Sequence, residues 1–277
     1  MYLCYLQETI FRNVMNNRLT NLFDKKHKNL LTIYFTAGYP SLENTIEVAK
    51  ATAEAGADII EIGMPFSDPI ADGETIQQSN QKALDNGMNL QLLFEQLTHL
   101  RKEVQIPVLL MGYINPVIQF GIEAFCQKAT EVGIDGLILP DLPMFEYEEI
   151  YRPIFEKYNL SNVFLITPQT SEERIRKIDE LTTGFIYMVS SASTTGKTGA
   201  ISEEQVAYFE RIEQMKLKNP RQIGFGISDK SSYETACGYA NGAIIGSAFI
   251  KALTKGESLT NNIHSFIQSI RNEAVVS

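Results

Sequence analysis

A glutamate stands inside an apolar run of the sequence, Ile59-Ile60-Glu61-Ile62. If this run is a β-strand, Glu61 shares a face with Ile59. An ionised carboxylate in such a place is costly unless it is paired or protonated. Because desolvation moves its pKa towards neutral pH, the residue is suited to general acid/base catalysis. The alternative is a structural glutamate that core donors satisfy or that turns outward.

A second carboxylate, Asp72, follows Glu61 after a loop that contains two prolines and precedes a glycine. Such a loop can fold back over a strand end and bring Asp72 towards Glu61. On local sequence alone, Asp72 is equally compatible with the cap of a helix that starts near Thr75. Asp68 precedes Pro69, which disfavours helical backbone, and it is interpreted as loop architecture or a partner contact.

Glycines mark a candidate phosphate site further along the chain. Gly226 follows one apolar run, Gly246 and Ser247 follow the next, and Gly196 lies in a small polar segment before both. Glycine lets a phosphate approach backbone N–H groups closely. Each glycine alone is weak evidence, since turns need glycine anyway, but three such segments together favour phosphate binding.

Two other chemistries are disfavoured. Gly196, Lys197 and Thr198 match half of a P-loop, but Ser191 occupies the position of the first glycine, which argues against a nucleoside triphosphatase. A Schiff-base mechanism needs a lysine at a strand end. None of the apolar runs contains a lysine, and Lys197 and Lys230 lie in loops. With nucleoside triphosphate hydrolysis and Schiff-base formation both disfavoured, the sequence favours carboxylate acid/base chemistry on a phosphorylated substrate.

The elements that must position these residues are short apolar runs that alternate with helical patterns. The runs are Leu31–Phe35, Ile59–Ile62, Val108–Met111, Gly136–Leu139, Val163–Ile166, Phe185–Val189, Ile223–Phe225 and Ala243–Ile245. Continuous apolar runs indicate parallel strands buried on both faces. About eight strand–helix units predict an α/β fold, a (β/α)8 barrel, whose sites lie where strands end. A doubly wound open sheet is the alternative, but the turn at Thr36–Pro40 lacks its glycine pattern.

Length and composition bound the remaining possibilities. The 277 residues suit a single barrel domain over 1–277, with residues 1–28 as an amphipathic helical extension. A net charge of -9 disfavours nucleic acid and anionic membranes as partners. Three scattered cysteines fit a reducing compartment, three isolated histidines give no metal motif, and no run is long enough for a membrane span. We expect a cytoplasmic protein.

Six segments, in order along nearly the whole chain, resemble the tryptophan synthase alpha subunit family. The most specific is Glu61–Gly73; the others are Tyr34–Pro40, Leu110–Pro116, Pro140–Pro143, Gly224–Ser228 and Gly246–Ser247. The resemblance implies retro-aldol cleavage of indole-3-glycerol phosphate to indole and glyceraldehyde 3-phosphate, without a cofactor on this chain. Another phosphate-binding barrel enzyme, or a catalytically silent allosteric partner, would be the alternatives.

The resemblance also implies roles for individual residues. Glu61 would shuttle protons at indole C3 and the glycerol hydroxyl, and Asp72 would accept a hydrogen bond from the indole N–H. Tyr187 would lie near Glu61 at the end of the sixth strand. The remaining implied contacts are the indole-pocket residues Tyr34 and Phe225, and the phosphate donors Gly196, Gly226, Gly246 and Ser247.

Two residues depart from the family pattern. Tyr34 stands where some members have phenylalanine, and Ser193 stands where many have glycine.

The resemblance further implies a partner, a beta subunit that carries pyridoxal phosphate, in an alpha2beta2 heterotetramer. The loop Pro65–Ala71 would lie near that interface.

Overall fold

Eight parallel strands form a closed barrel in the order β1 to β8. The computed structural model describes residues 15–69, 72–190, 201–256 and 258–271. The strands are β1 Leu30–Thr36, β2 Ile59–Gly63, β3 Val108–Met111, β4 Gly136–Ile138, β5 Ser161–Ile166, β6 Ile186–Val189, β7 Arg221–Gly224 and β8 Gly242–Ile245. β1 pairs with both β2 and β8, which closes the barrel. The predicted (β/α)8 fold is confirmed.

Helices surround the barrel and pack against the outer faces of the strands. They are α1 Arg18–Lys25, α2 Thr45–Glu54, α3 Glu74–Asp85, α4 Leu90–Leu97, α5 Leu100–Glu103, α6 Ile114–Phe120, α7 Ile122–Glu131, α8 Met144–Glu146, α9 Arg152–Lys157, α10 Glu172–Leu181, α11 Glu203–Gln214, α12 Lys230–Tyr239, α13 Ser247–Ala252 and α14 Leu259–Arg271. A 3-10 turn at Leu42–Asn44 leads into α2, and a π-helical turn at Tyr147–Tyr151 joins α8 to α9. None of these described helices is long and apolar enough to cross a membrane.

The sequence predicts a helical extension over residues 1–28, of which residues 1–14 lie outside the described residues; within the described part, α1 closes the amino end of the barrel. Leu19 and Phe23 of α1 belong to the same apolar cluster as Leu30 and Phe185 from the strand ends. The Phe23 and Phe185 ring centroids lie 5.9 Å apart. Asn17 caps the helix, since its side chain accepts hydrogen bonds from the backbone N–H groups of the first turn. The helix therefore covers the amino ends of the strands, opposite their carboxyl ends, where catalytic residues are expected.

A buried ion-pair network also ties the amino end together. The Asp135 carboxylate, 1% exposed, lies 2.6 Å from Arg101 and 3.2 Å from Arg18. It also accepts a hydrogen bond of 2.9 Å from the backbone N–H of Val108, at the start of β3. Burial lowers the pKa of Arg101 to about 10, and the Asp135 charge opposes that shift. These contacts hold the ends of β3 and β4 in place.

Two expectations about local structure were wrong. β7 ends at Gly224, so Phe225 lies after the strand and not in it. Tyr187 lies within β6 and not at its end.

Candidate active site

Glu61 lies inside the barrel, at the middle of β2. It pairs in register with Tyr34 of β1 and Leu109 of β3. The residue is 0% exposed, and neither carboxyl oxygen has a hydrogen-bond partner among the described residues. Burial raises the pKa of Glu61 to about 8. The outward-facing and core-satisfied alternatives for this glutamate are both wrong, since the side chain is buried and unpartnered. At neutral pH it is a protonated acid, able to donate a proton.

Asp72 lies at the mouth of the barrel, before α3. Gly73, and not Asp72, is the N-cap residue of α3, so the interpretation of Asp72 as a helix cap is wrong. Its carboxylate accepts a hydrogen bond from the Tyr113 hydroxyl and lies 3.5 Å from the amide nitrogen of Asn80. Burial raises the pKa of Asp72 to about 6, and the Tyr113 hydrogen bond limits the rise. The group is therefore largely ionised at neutral pH.

A cavity of about 230 Å³ opens at the carboxyl ends of the strands. Of the residues predicted to form a site, Tyr34, Asp72, Tyr187, Phe225, Gly226, Gly246 and Ser247 all line it. Glu61 is not part of the wall, but its charge and that of Asp72 both raise the pKa of Tyr34 and of Tyr187, after burial as the main cause. The two carboxylates thus lie within electrostatic reach of the same pair of tyrosines.

Two glycines make room for these tyrosine rings. A Cβ atom at Gly63, the last residue of β2, would lie 2.2 Å from the Tyr34 hydroxyl oxygen. A Cβ atom at Gly224, the last residue of β7, would lie 2.4 Å from the Tyr187 hydroxyl oxygen. No real side chain tolerates such distances. Glycine at these strand ends therefore lets each ring lie across its neighbouring strand and form a flat wall of the cavity.

Phe225 has a backbone conformation that is rare for a bulky residue, with φ at 65°. Its ring contacts the Tyr187 ring at a centroid distance of 6.0 Å and an interplanar angle of 73°, an edge-to-face arrangement. The Ser190 hydroxyl donates a hydrogen bond to the Phe225 carbonyl oxygen. Left-handed backbone at a non-glycine residue costs about 1–3 kcal/mol and persists where its surroundings enforce it, often at functional sites.

The candidate phosphate residues fall into two groups. Gly226, Gly246 and Ser247 all line the cavity, as expected for residues that follow the adjacent strands β7 and β8. Gly196, together with Ser193 and Lys197, lies outside the described residues. Asp68 is exposed in the loop after β2 and accepts a hydrogen bond from Ser67, consistent with its interpretation as a loop residue.

Sequence reasoning missed several residues that contact the site. Tyr113 and Asn80 contact Asp72, and Lys251 and Lys255 line the cavity. Tyr113 carries a usable signal, since it lies two residues after the end of β3. Asn80 gives none, because an asparagine within a helical pattern resembles an ordinary surface residue.

The fold and the carboxylate pair define the class of protein: a (β/α)8-barrel enzyme with an acid/base site at the carboxyl ends of its strands. The family model of the tryptophan synthase alpha chain matches residues 19–275. The tryptophan synthase alpha chain of Flavobacterium johnsoniae is 55% identical over 255 residues, which are 92% of this chain and 100% of the relative. That of Bacteroides fragilis is 54% identical over 237 residues, 86% of this chain and 90% of the relative. The chain belongs to the tryptophan synthase alpha chain family.

Solved structures agree with this assignment. Tryptophan synthase subunit alpha from Legionella pneumophila has a TM-score of 0.83 and 32% identity, and the match covers 93% of this chain and 98% of that one. A chain of the tryptophan synthase complex from Pyrococcus furiosus has a TM-score of 0.80 and 33% identity, with 90% and 100% covered. Members of this family are lyases that cleave indole-3-glycerol phosphate in tryptophan biosynthesis, so the function expected from the resemblance is confirmed at the level of the family.

Proposed function

We propose that Glu61 is the proton donor and acceptor, and Asp72 the electrostatic partner, in the cleavage of indole-3-glycerol phosphate by this chain. The observation that carries the proposal is the pairing of a buried, unpartnered carboxyl group with an ionised one beside a cavity. Burial sets the pKa of Glu61 at about 8 and that of Asp72 at about 6. Two carboxyl groups with separated pKa values can take opposite roles at one pH.

The reaction then has two proton transfers and one bond cleavage. Protonated Glu61 gives its proton to C3 of the indole ring, which breaks the aromaticity and leaves positive charge on the ring nitrogen. The carboxylate of Asp72 accepts a hydrogen bond from the indole N–H and stabilises this charge. Glu61 then removes the proton from the glycerol hydroxyl next to C3. The carbon–carbon bond breaks, its electron pair returns to the indole ring, and indole and glyceraldehyde 3-phosphate are formed.

This mechanism requires the Glu61 carboxyl group to turn towards the cavity when substrate binds. Neither of its oxygens is held by a hydrogen bond among the described residues, so no such bond has to break for that rotation. Tyr34, Tyr187 and Phe225 supply flat apolar walls for an indole ring. Gly226, Gly246 and Ser247, which line the same cavity, would donate hydrogen bonds to the phosphate, with Gly196 as a fourth donor. Every step uses side chains or backbone of this chain and no cofactor.

Indole release from indole-3-glycerol phosphate tests the proposal. The variants E61Q and D72N should each lose at least about 100-fold in kcat, the usual effect of removing a group that acts in the transition state. The matched control is E74Q, because Glu74 is an exposed carboxylate two residues from Asp72. Near-normal turnover by E61Q would refute the mechanism. A wild-type chain that stimulates a beta subunit but never releases indole would instead support the silent-partner alternative.

We also propose that the chain binds a tryptophan synthase beta subunit, which carries pyridoxal phosphate and consumes the indole. The Pyrococcus furiosus relative forms part of a tryptophan synthase complex. Two exposed apolar side chains, Ile118 at 50% and Phe145 at 75%, lie in the helices that follow β3 and β4. Apolar residues at this end of the barrel suit an interface near the cavity. The loop Pro65–Ala71 is proposed to lie near the same interface; its residues Ile70 and Ala71 lie outside the described residues. Two alpha chains and two beta chains, all cytoplasmic, would assemble as an alpha2beta2 heterotetramer.

Light scattering of the purified alpha and beta chains, mixed at equal concentration, measures this assembly. The mass of a 2:2 complex supports the proposal. The variant F145D should weaken the complex at least about 10-fold, because a charge replaces an apolar contact at the interface. Two separate masses at micromolar concentration would contradict the proposed pairing.

A further inference from the structure

Lys251 and Lys255 are the only two cationic residues among the described residues that line the cavity. Lys251 is in α13, one helical turn after Ser247, and Lys255 follows four residues later. Residues four apart on a helix share a face, so Lys251 lies on the same side as Ser247, a candidate phosphate donor. The third charged residue of the wall is Asp72. The cavity wall therefore carries one carboxylate, which lies beside Tyr113 and Asn80, and two ammonium groups, one of them on the helix that Ser247 begins.

These two lysines are also free of competing partners in the part of the chain that is described. Neither forms an ion pair there, whereas the exposed lysines Lys50, Lys128 and Lys157 each pair with a glutamate. Both Lys251 and Lys255 are exposed to solvent. The net charge of the chain is -9, which repels an anionic ligand. The two lysines supply local positive charge at the cavity that opposes this repulsion.

We propose that Lys251 and Lys255 form an electrostatic entrance that captures the phosphate group of the substrate and selects phosphorylated over neutral molecules. This inference rests on the proposed function, since it assigns a further binding element to the same cavity. A phosphate dianion is attracted by both ammonium groups before it reaches the backbone donors of Gly226 and Ser247. The lysines contact only the phosphate, which takes no part in bond cleavage. They therefore act on capture and not on the chemical step.

The double variant K251Q/K255Q should lower kcat/KM for indole-3-glycerol phosphate about tenfold at low ionic strength, with kcat little changed. This corresponds to about threefold for each exposed charge. The loss should shrink towards zero at about 1 M salt, where the Debye length is about 3 Å. The variant K251R/K255R keeps the charges and should restore the rate. A matched control is K25Q/K28Q, which removes the same charge from exposed lysines at the opposite end of the barrel.

The reverse reaction separates electrostatic capture from a structural effect. Its two substrates are glyceraldehyde 3-phosphate, which has the phosphate, and indole, which does not. The double variant should raise KM for glyceraldehyde 3-phosphate and leave KM for indole unchanged. Equal rises in both constants, a loss that persists at high salt, or wild-type values at low salt would each overturn the proposal.

A binding measurement keeps this inference distinct from the proposed function. Titration with glycerol 3-phosphate, followed by calorimetry, needs no turnover. Weaker binding by K251Q/K255Q than by the wild type and by K25Q/K28Q supports the lysine entrance even if the wild-type chain releases no indole. Equal binding by all three proteins refutes it even if cleavage is normal.

Discussion

Replacing Glu61 with glutamine should stabilise the folded protein at neutral pH while it removes catalysis. Burial raises the pKa of Glu61 from 4.5 to about 8, so the folded state holds a proton that the unfolded chain releases. The free energy of unfolding therefore falls as the pH rises from about 4.5 towards 8, and glutamine, which does not titrate, escapes this loss. At about 1.36 kcal/mol for each pH unit, the gain from E61Q is about 3 kcal/mol at pH 7 and below about 1 kcal/mol at pH 5.

Urea unfolding of both proteins at pH 5 and pH 7 measures this effect. The decisive quantity is the change with pH in the difference between their free energies of unfolding, because a constant difference in packing between the two side chains then cancels. Asp72 is present in both proteins, so its titration cancels as well. The control E74Q removes an exposed carboxylate near the site and should not reproduce the pH-dependent change of E61Q. A flat difference for E61Q between pH 5 and pH 7 would show that Glu61 ionises normally in the fold, and the acid role derived from its burial would be refuted.

Three further outcomes are expected. The kcat/KM for cleavage should fall below about pH 6, where Asp72 gains a proton, and above about pH 8, where Glu61 loses one; a pH profile without an alkaline limb would contradict this. The variant G63A should lose about 1–3 kcal/mol of unfolding free energy and raise KM, because its methyl group collides with the Tyr34 ring. The control G238A should not destabilise the protein, because nothing lies within 4 Å of a Cβ atom at that position. Equal urea midpoints for the two variants would refute the clash. The variant D135A should lower the melting temperature, with about 1–3 kcal/mol lost, because the Arg101 guanidinium and the buried Val108 N–H both lose their carboxylate partner, yet kcat should stay unchanged.

The fold could be predicted from the sequence because its signal is repeated. Each apolar run coincides with an observed strand within two residues, and the burial of both faces of a parallel strand explains why the runs are continuous. Glu61 was found for the same reason, since a charge is conspicuous in such a run. The exact ends of the strands and helices were harder to predict from the sequence. At β7 the chain leaves the strand at Gly224 because Phe225 adopts left-handed backbone, a conformation that its residue type does not predict.

Several residues of the site could not be predicted from local sequence, because they come from different strands and helices. Asp72 fits a cap or a site equally well until the position of Gly73 at the N-cap is known. The contact between Asp72 and Asn80 depends on how α3 lies over the barrel mouth. Lys251 and Lys255 resemble ordinary surface lysines until their side chains are placed on the cavity wall. Barrel closure, and not local pattern, brings these residues together.

Phe225 shows what selection for stability alone would change in this molecule. With φ at 65°, the position suits glycine or asparagine, and either residue would relieve the backbone. Directed evolution for thermal tolerance would therefore favour replacement of Phe225 and would remove the ring that packs on Tyr187 in the cavity wall. Mutant libraries made to increase the thermal stability of this enzyme should keep Phe225, since the substitution that relieves its backbone would also remove an aromatic ring from the cavity wall.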